Sequence, residues 1–173
     1  MIHTLNEKSQ IKYVNKAWLK NMGFEDLKEV EGKPIMQFFT DNTLKKFSAV
    51  MPQLMRGENV EDLVCEFISK DGAVVNITGR SKPILVNGEY FGSEAFLFNV
   101  TALLKTEKEL EKMADFQSLL MRISTEYINA PISEINFLIN QSLEDIAAYS
   151  SADRAYVFKY NYKKEVCSIT HEW

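Results

Sequence analysis

Two short turns constrain what this chain can fold into more than any other feature. Asp71-Gly72 and Asn87-Gly88 are dipeptides that accept the positive φ angles of tight hairpin turns. They divide the middle of the chain into three successive strands. Leu63, Cys65 and Phe67 alternate with Asp62, Val64 and Glu66, the period-two pattern of a half-buried strand. Residues 74–80 form the second strand, and residues 90–100, rich in phenylalanine, form the third. Strands joined in order by tight turns make an antiparallel meander with one face covered.

The preceding residues supply both more strands and the cover. Residues 1–6 and 10–14 read as two short strands around a turn at Asn6-Glu7-Lys8-Ser9. Asn15 stands where a helix cap belongs, ahead of Ala17, Trp18, Leu19 and Met22 on one helical face, and Gly23 ends that helix. Pro34 suits the first position of a short helix through Phe39. Asp41 is the expected cap of a longer helix whose apolar positions are Leu44, Phe47, Val50, Met51 and Leu54. The fold class is therefore α+β, a five-stranded antiparallel sheet with helices on one face.

From Thr101, a natural N-cap, the pattern turns helical. Leu103, Thr106, Leu110 and Met113 step by three and four, flanked by Lys105, Glu107, Lys108, Glu111 and Lys112, which is a heptad seam suited to pairing with a second copy. The step from Met113 to Phe116 repeats a three where a four is due, so the phase breaks and a boundary is expected near Ala114-Asp115. Pro131 opens a further helix bearing Ile135, Leu138, Ile139, Leu143 and Ile146. Residues 154–160 and 165–173 then read as a strand pair.

Composition narrows the function classes. A net charge of −4 over 173 residues lacks the concentrated basic surface of nucleic-acid binding. Cys65 and Cys167 are far apart with no CxxC, so a reducing, cytoplasmic setting is the default expectation. The N-terminus has no long apolar run of a signal peptide. No stretch approaches the roughly 18 apolar residues of a membrane span, although a longer parent protein could still be membrane-associated. There is no GxSxG, P-loop or HExxH, and catalysis is not expected of this chain.

Local wording adds a family resemblance. Tyr13-Val14-Asn15-Lys16-Ala17, then Gly23-Phe24 with Glu31-Gly32-Lys33-Pro34, resemble the segments that open the first helices of PAS sensory domains. Phe67-Ile68-Ser69-Lys70-Asp71-Gly72 resembles the family's Asp-Gly hairpin, and Asn99-Val100-Thr101 stands where Asp-Ile-Thr is usual. The resemblance covers residues 1–101. It implies a sensory module that binds a small ligand or mediates dimerisation and relays a change through its C-terminal helix to an effector, such as a histidine kinase or diguanylate cyclase. Residues 102–114 would be the linker helix. Residues 115–173, ending Thr170-His171-Glu172-Trp173, resemble the N-terminal part of a GAF domain.

The resemblance also directs attention to particular residues. The interior candidates for a ligand pocket are Phe38, Phe39, Phe47, Met51, Leu54, Phe67, Ile77 and Phe96, expected to converge between helices and sheet. A filled core is the competing reading. The relay candidates are Asn99, Thr101, Leu103, Leu110 and Met113, with a homodimer through the linker helix as the implied partner. Asn99 in place of Asp keeps hydrogen bonding and removes the charge. Asn76, Thr78, Arg80 and Glu94 are expected on the sheet surface. No cofactor is evident, and an unidentified small molecule remains open. Haem-type ligation lacks its histidine, because residues 41–56 contain none; His3 reads as a solvated strand residue, and it and His171 form no metal cluster. Light-oxygen-voltage photochemistry lacks its cysteine in Pro34-Ile35-Met36-Gln37-Phe38-Phe39. A structural spacer without ligand, a non-covalent flavin or haem sensor, and an α+β enzyme sharing the strand order are the alternatives.

Overall fold

The computed structural model describes residues 1–62 and 64–173; Leu63, expected on the first meander strand, lies outside the described residues. The chain divides into two units, Met1–Lys105 and Thr106–Trp173.

The first unit is built on β1 (Ile2–Asn6), β2 (Ile11–Val14), β3 (Cys65–Ile68), β4 (Val74–Val86) and β5 (Glu89–Asn99). Their order is β2-β1-β5-β4-β3, with every pairing antiparallel. The two expected hairpin turns form: Gly72 has φ +84°, and Asn87 and Gly88 have φ +54° and +86°. β4 runs six residues beyond its expected end at Arg80. The ladder to β5 holds these residues, from Ser81 against Ala95 to Val86 against Glu89, and one bridge covers the outer edge. Ser81 pairs both its N–H and its C=O with Val60, at 2.8 and 2.9 Å. Pro83, two residues on, therefore turns its nitrogen to the same outer edge, where no ladder bond is lost.

Helices cover one face. α1 (Lys16–Met22) starts at Asn15, whose side chain accepts from Trp18 N at 2.9 Å and from Ile2 N at 3.0 Å. One carboxamide thus caps the helix and ties it to β1. α2 (Asp41–Met55) is capped by Thr40, not by the expected Asp41. Thr40 has the extended backbone of a cap residue, and its hydroxyl accepts from Thr43 N at 3.3 Å, while Asp41 occupies the first turn. Thr43 is itself buried, donating to Glu66 O at 3.0 Å and accepting from Glu66 N at 2.7 Å. That hydroxyl replaces a missing ladder partner and docks α2 on β3.

Aromatic packing fills the space between layers. Trp18, fully buried, stacks on Phe24 at 6.1 Å and meets Phe38 edge-on at 5.7 Å. Phe39 packs against Phe67 at 4.9 Å and Phe47 at 5.2 Å. Each buried member, Trp18, Phe38, Phe39 and Phe67, contributes about 1.5–3 kcal/mol on leaving water. At Gly92 the sheet closes too tightly for any side chain: a Cβ there would stand 2.1 Å from the carbonyl oxygen of Leu5.

α3 (Thr101–Asn129) is a single helix that continues through Ala114-Asp115, since a change of heptad phase moves the apolar stripe without breaking the backbone. Within the second unit, Arg122 bonds Asp145 at 2.9 Å, and Phe116 packs at a tilt against Tyr149 at 5.4 Å. These contacts join α3 to α4 (Ile135–Ser150), whose Leu138, Leu143 and Ala147 are buried. A two-stranded hairpin follows, β6 (Tyr156–Asn161) and β7 (Val166–Glu172).

Candidate ligand cavity and relay joint

Period-two alternation decides which side chains β1, β4 and β5 turn inward. His3, Ala95 and Ser81 lie opposite one another across the three strands. Leu5 and Ser93 form the next such pair. Because Ser81, Ser93 and Ala95 are small, the sheet does not fill the space below it. A cavity of about 70 Å3 remains under α2, walled by Leu5, Ile35, Phe39, Phe47, Leu54 and Phe67 among others. On the same measure one water requires roughly 10–15 Å3. The polar side chains on this wall are His3, Ser81 and Ser93.

His3 corrects the sequence expectation. It is not a solvated strand residue but 5% exposed, because the pairing of β1 with central β5 commits its odd-numbered side chains to the interior. Its Nδ1 is buried with no hydrogen-bond partner among the described residues. Burial, reinforced by the charge of the Met1 amino group, pushes the imidazole down to about 4, so His3 is neutral at pH 7. Nothing in the sequence around it marks this role.

Of the eight pocket candidates, Phe39, Phe47, Leu54 and Phe67 meet at the cavity. Phe38 and Ile77 are buried in the core beside it, and Met51 is half-buried on α2 without lining it. Phe96 does not join them. Ala95 and Leu97 face inward, so Phe96 falls on the opposite face, where Arg80 and Lys82 lie over its ring at 5.5 and 5.3 Å. Glu94 is on that outer face too, paired with Lys82 at 3.0 Å. Cys65 is half-buried, and burial pushes its thiol up, away from thiolate chemistry. Among the described residues no His, Cys, Asp and Glu cluster could hold a metal, and no helix is long and apolar enough to cross a membrane.

The relay candidates sit at the exit of β5. Asn99 Oδ1 accepts from Thr101 N at 2.9 Å, and its Nδ2 donates to Asn21 Oδ1 at 2.7 Å. The Thr101 hydroxyl turns back and accepts from Asn76 N at 2.8 Å. Val100 N donates to Asn76 O at 2.8 Å. Five residues thus join β4, β5, α1 and the first turn of α3, and the neutral carboxamide of Asn99 supplies both a donor and an acceptor. Further along α3, Leu103, Leu110 and Met113 are 65%, 61% and 59% exposed.

An open antiparallel sheet of this strand order, backed by helices and leaving through a long helix, defines a class of sensory α+β domains. The chain belongs to the PAS domain family, whose model matches residues 1–102. The solved structures it resembles carry the same fold. The PAS-B domain of Cycle from Drosophila melanogaster is 15% identical, with a TM-score of 0.52 over 57% of this chain and 97% of that one. A PAS domain from Colwellia psychrerythraea is 16% identical, with a TM-score of 0.53 over 58% and 86%. A domain of a light- and redox-sensing histidine kinase from Haloarcula marismortui, described as putative, is 17% identical, with a TM-score of 0.50 over 58% and 88%. No curated protein matches the chain.

Proposed function

We propose that this chain is a sensory module that holds a small molecule in the cavity beneath α2 and passes its occupancy through Asn99 and Thr101 into α3, toward an effector such as a histidine kinase or diguanylate cyclase. The observation that carries this reading is the joint itself. β5 contributes Ser93 and Ala95 to the cavity wall and Asn99 to the start of α3. A ligand that favours one arrangement of β5 therefore biases the helix by its difference in affinity for the two. Within this reading residues 102–114 serve as the linker, and residues 115–173 as the first part of a GAF-like domain. The exposed apolar side chains Phe158, Val166 and Ile169 on its hairpin support that assignment.

A second reading, dimerisation through α3, is favoured by the exposed seam of Leu103, Leu110 and Met113. Native mass spectrometry tests both. Extra mass lost on denaturation supports a bound small molecule, and the bare mass as a dimer supports a spacer role. The double substitution Leu110→Glu, Met113→Glu should convert a helix-mediated dimer to monomer; a dimer that survives it overturns the seam as the interface.

A further inference from the structure

The wall of the cavity is chemically lopsided. Its surface is aliphatic and aromatic except at the cross-strand patch of His3, Ser81 and Ser93. Within that patch His3 stands apart, because its Nδ1 is buried and lacks a partner among the described residues. A buried polar atom without a partner is costly, and the imidazole that carries it is part of the cavity wall. A molecule that enters meets this imidazole on the wall.

The same geometry limits what that molecule is. Walls without a charged side chain other than a potential imidazolium disfavour an ion. A neutral imidazole nitrogen is a donor in one tautomer and an acceptor in the other. A hydroxyl group serves both, so it satisfies His3 whichever tautomer is present. The volume of about 70 Å3 admits a body of roughly five non-hydrogen atoms. We infer that the cavity takes a small uncharged hydroxyl-bearing molecule, with an aliphatic part against Phe39, Phe67 and Leu54 and its hydroxyl on the imidazole of His3. This inference rests on the interior being a ligand site, and it adds the ligand's class and the residue that reads it.

The test uses the whole chain with three probes: 1-propanol, propionate and xenon. Nitrogen NMR follows the imidazole of His3, and amide shifts follow Ser93 and Ala95. 1-Propanol is expected to shift the His3 ring nitrogen and both amides saturably. Propionate, similar in size but charged, should bind at least about tenfold more weakly at pH 7. His3→Leu should weaken 1-propanol by about fivefold or more, the worth of one buried hydrogen bond, while still admitting xenon. Equal affinity of 1-propanol for wild type and His3→Leu, or tighter binding of propionate, overturns the assignment to His3 and leaves the cavity as a ligand site. Silence of Ser93 and Ala95 toward both xenon and 1-propanol overturns the cavity as a site and this inference with it. The wild-type nitrogen shift needs no substitution, so a misfolded His3→Leu does not remove the test.

Discussion

Lowering the pH from 7 to 5 should destabilise the PAS domain by about 2 kcal/mol through His3 alone. The imidazole is buried among apolar groups, and its folded value lies at about 4 against 6.5 for a free side chain. Between those values the unfolded chain binds a proton that the folded domain refuses. Stability is therefore full above the unfolded value and falls as the pH drops toward the folded one. The whole gap corresponds to about 3 kcal/mol, of which about two-thirds is lost by pH 5. His3 is the one titratable side chain among the described residues on the cavity wall, and the Met1 amino group is the charge that acts on it. The assay is urea unfolding at pH 7, 6 and 5, followed by the fluorescence of buried Trp18, for wild type and His3→Leu. The wild type should lose about 2 kcal/mol more than the variant over that range. Parallel losses in the two proteins, or an NMR titration of folded His3 centred near 6.5, would refute the reasoning.

Three further outcomes follow from particular contacts. Gly92→Ala should cost at least about 2 kcal/mol in thermal or urea unfolding, since its Cβ would meet the Leu5 carbonyl at 2.1 Å; an unchanged midpoint would mean the strands part more readily than described. Thr43→Val keeps the shape but leaves Glu66 N–H and C=O without the hydroxyl that bonds them, and should cost about 1–3 kcal/mol in the same assay. Thr101→Val removes the bond from Asn76 N, so amide exchange in the first turn of α3 should quicken by about five- to tenfold; unaltered exchange would show the joint does not hold the helix start.

The sheet was legible because turns and caps are local. Asp71-Gly72, Asn87-Gly88 and Asn15 act within three or four residues, so their chemistry survives whatever the rest of the chain does. The faces of the strands were less legible, because they depend on distant pairing. β1 carries apolar residues in both phases, with Ile2 on one face and Leu5 on the other, and only alignment with β5 puts His3 inside. β5 likewise reads Ala95-Phe96-Leu97-Phe98, apolar throughout. Size suggests that the phenylalanines are core, yet the tight inner face takes Ala95 and leaves Phe98 67% exposed. The cavity follows from that inversion, and no periodicity announces it. The length of β4 was hidden in the same way, since residues 81–86 are held as strand by their pairing with β5.

The strand order has a consequence for how the domain is made. β5 lies between β1 and β4, so the domain's first strand waits for the domain's last before its inner edge is paired. The β1–β2 hairpin and the β3–β4–β5 meander can each arise locally, but their union spans most of the domain's sequence, the kind of long-range closure that slows folding. Until β5 leaves the ribosome, β1 presents an unpaired edge to any neighbouring chain. During synthesis, then, the strand that later carries His3 into the interior is the one most in need of protection.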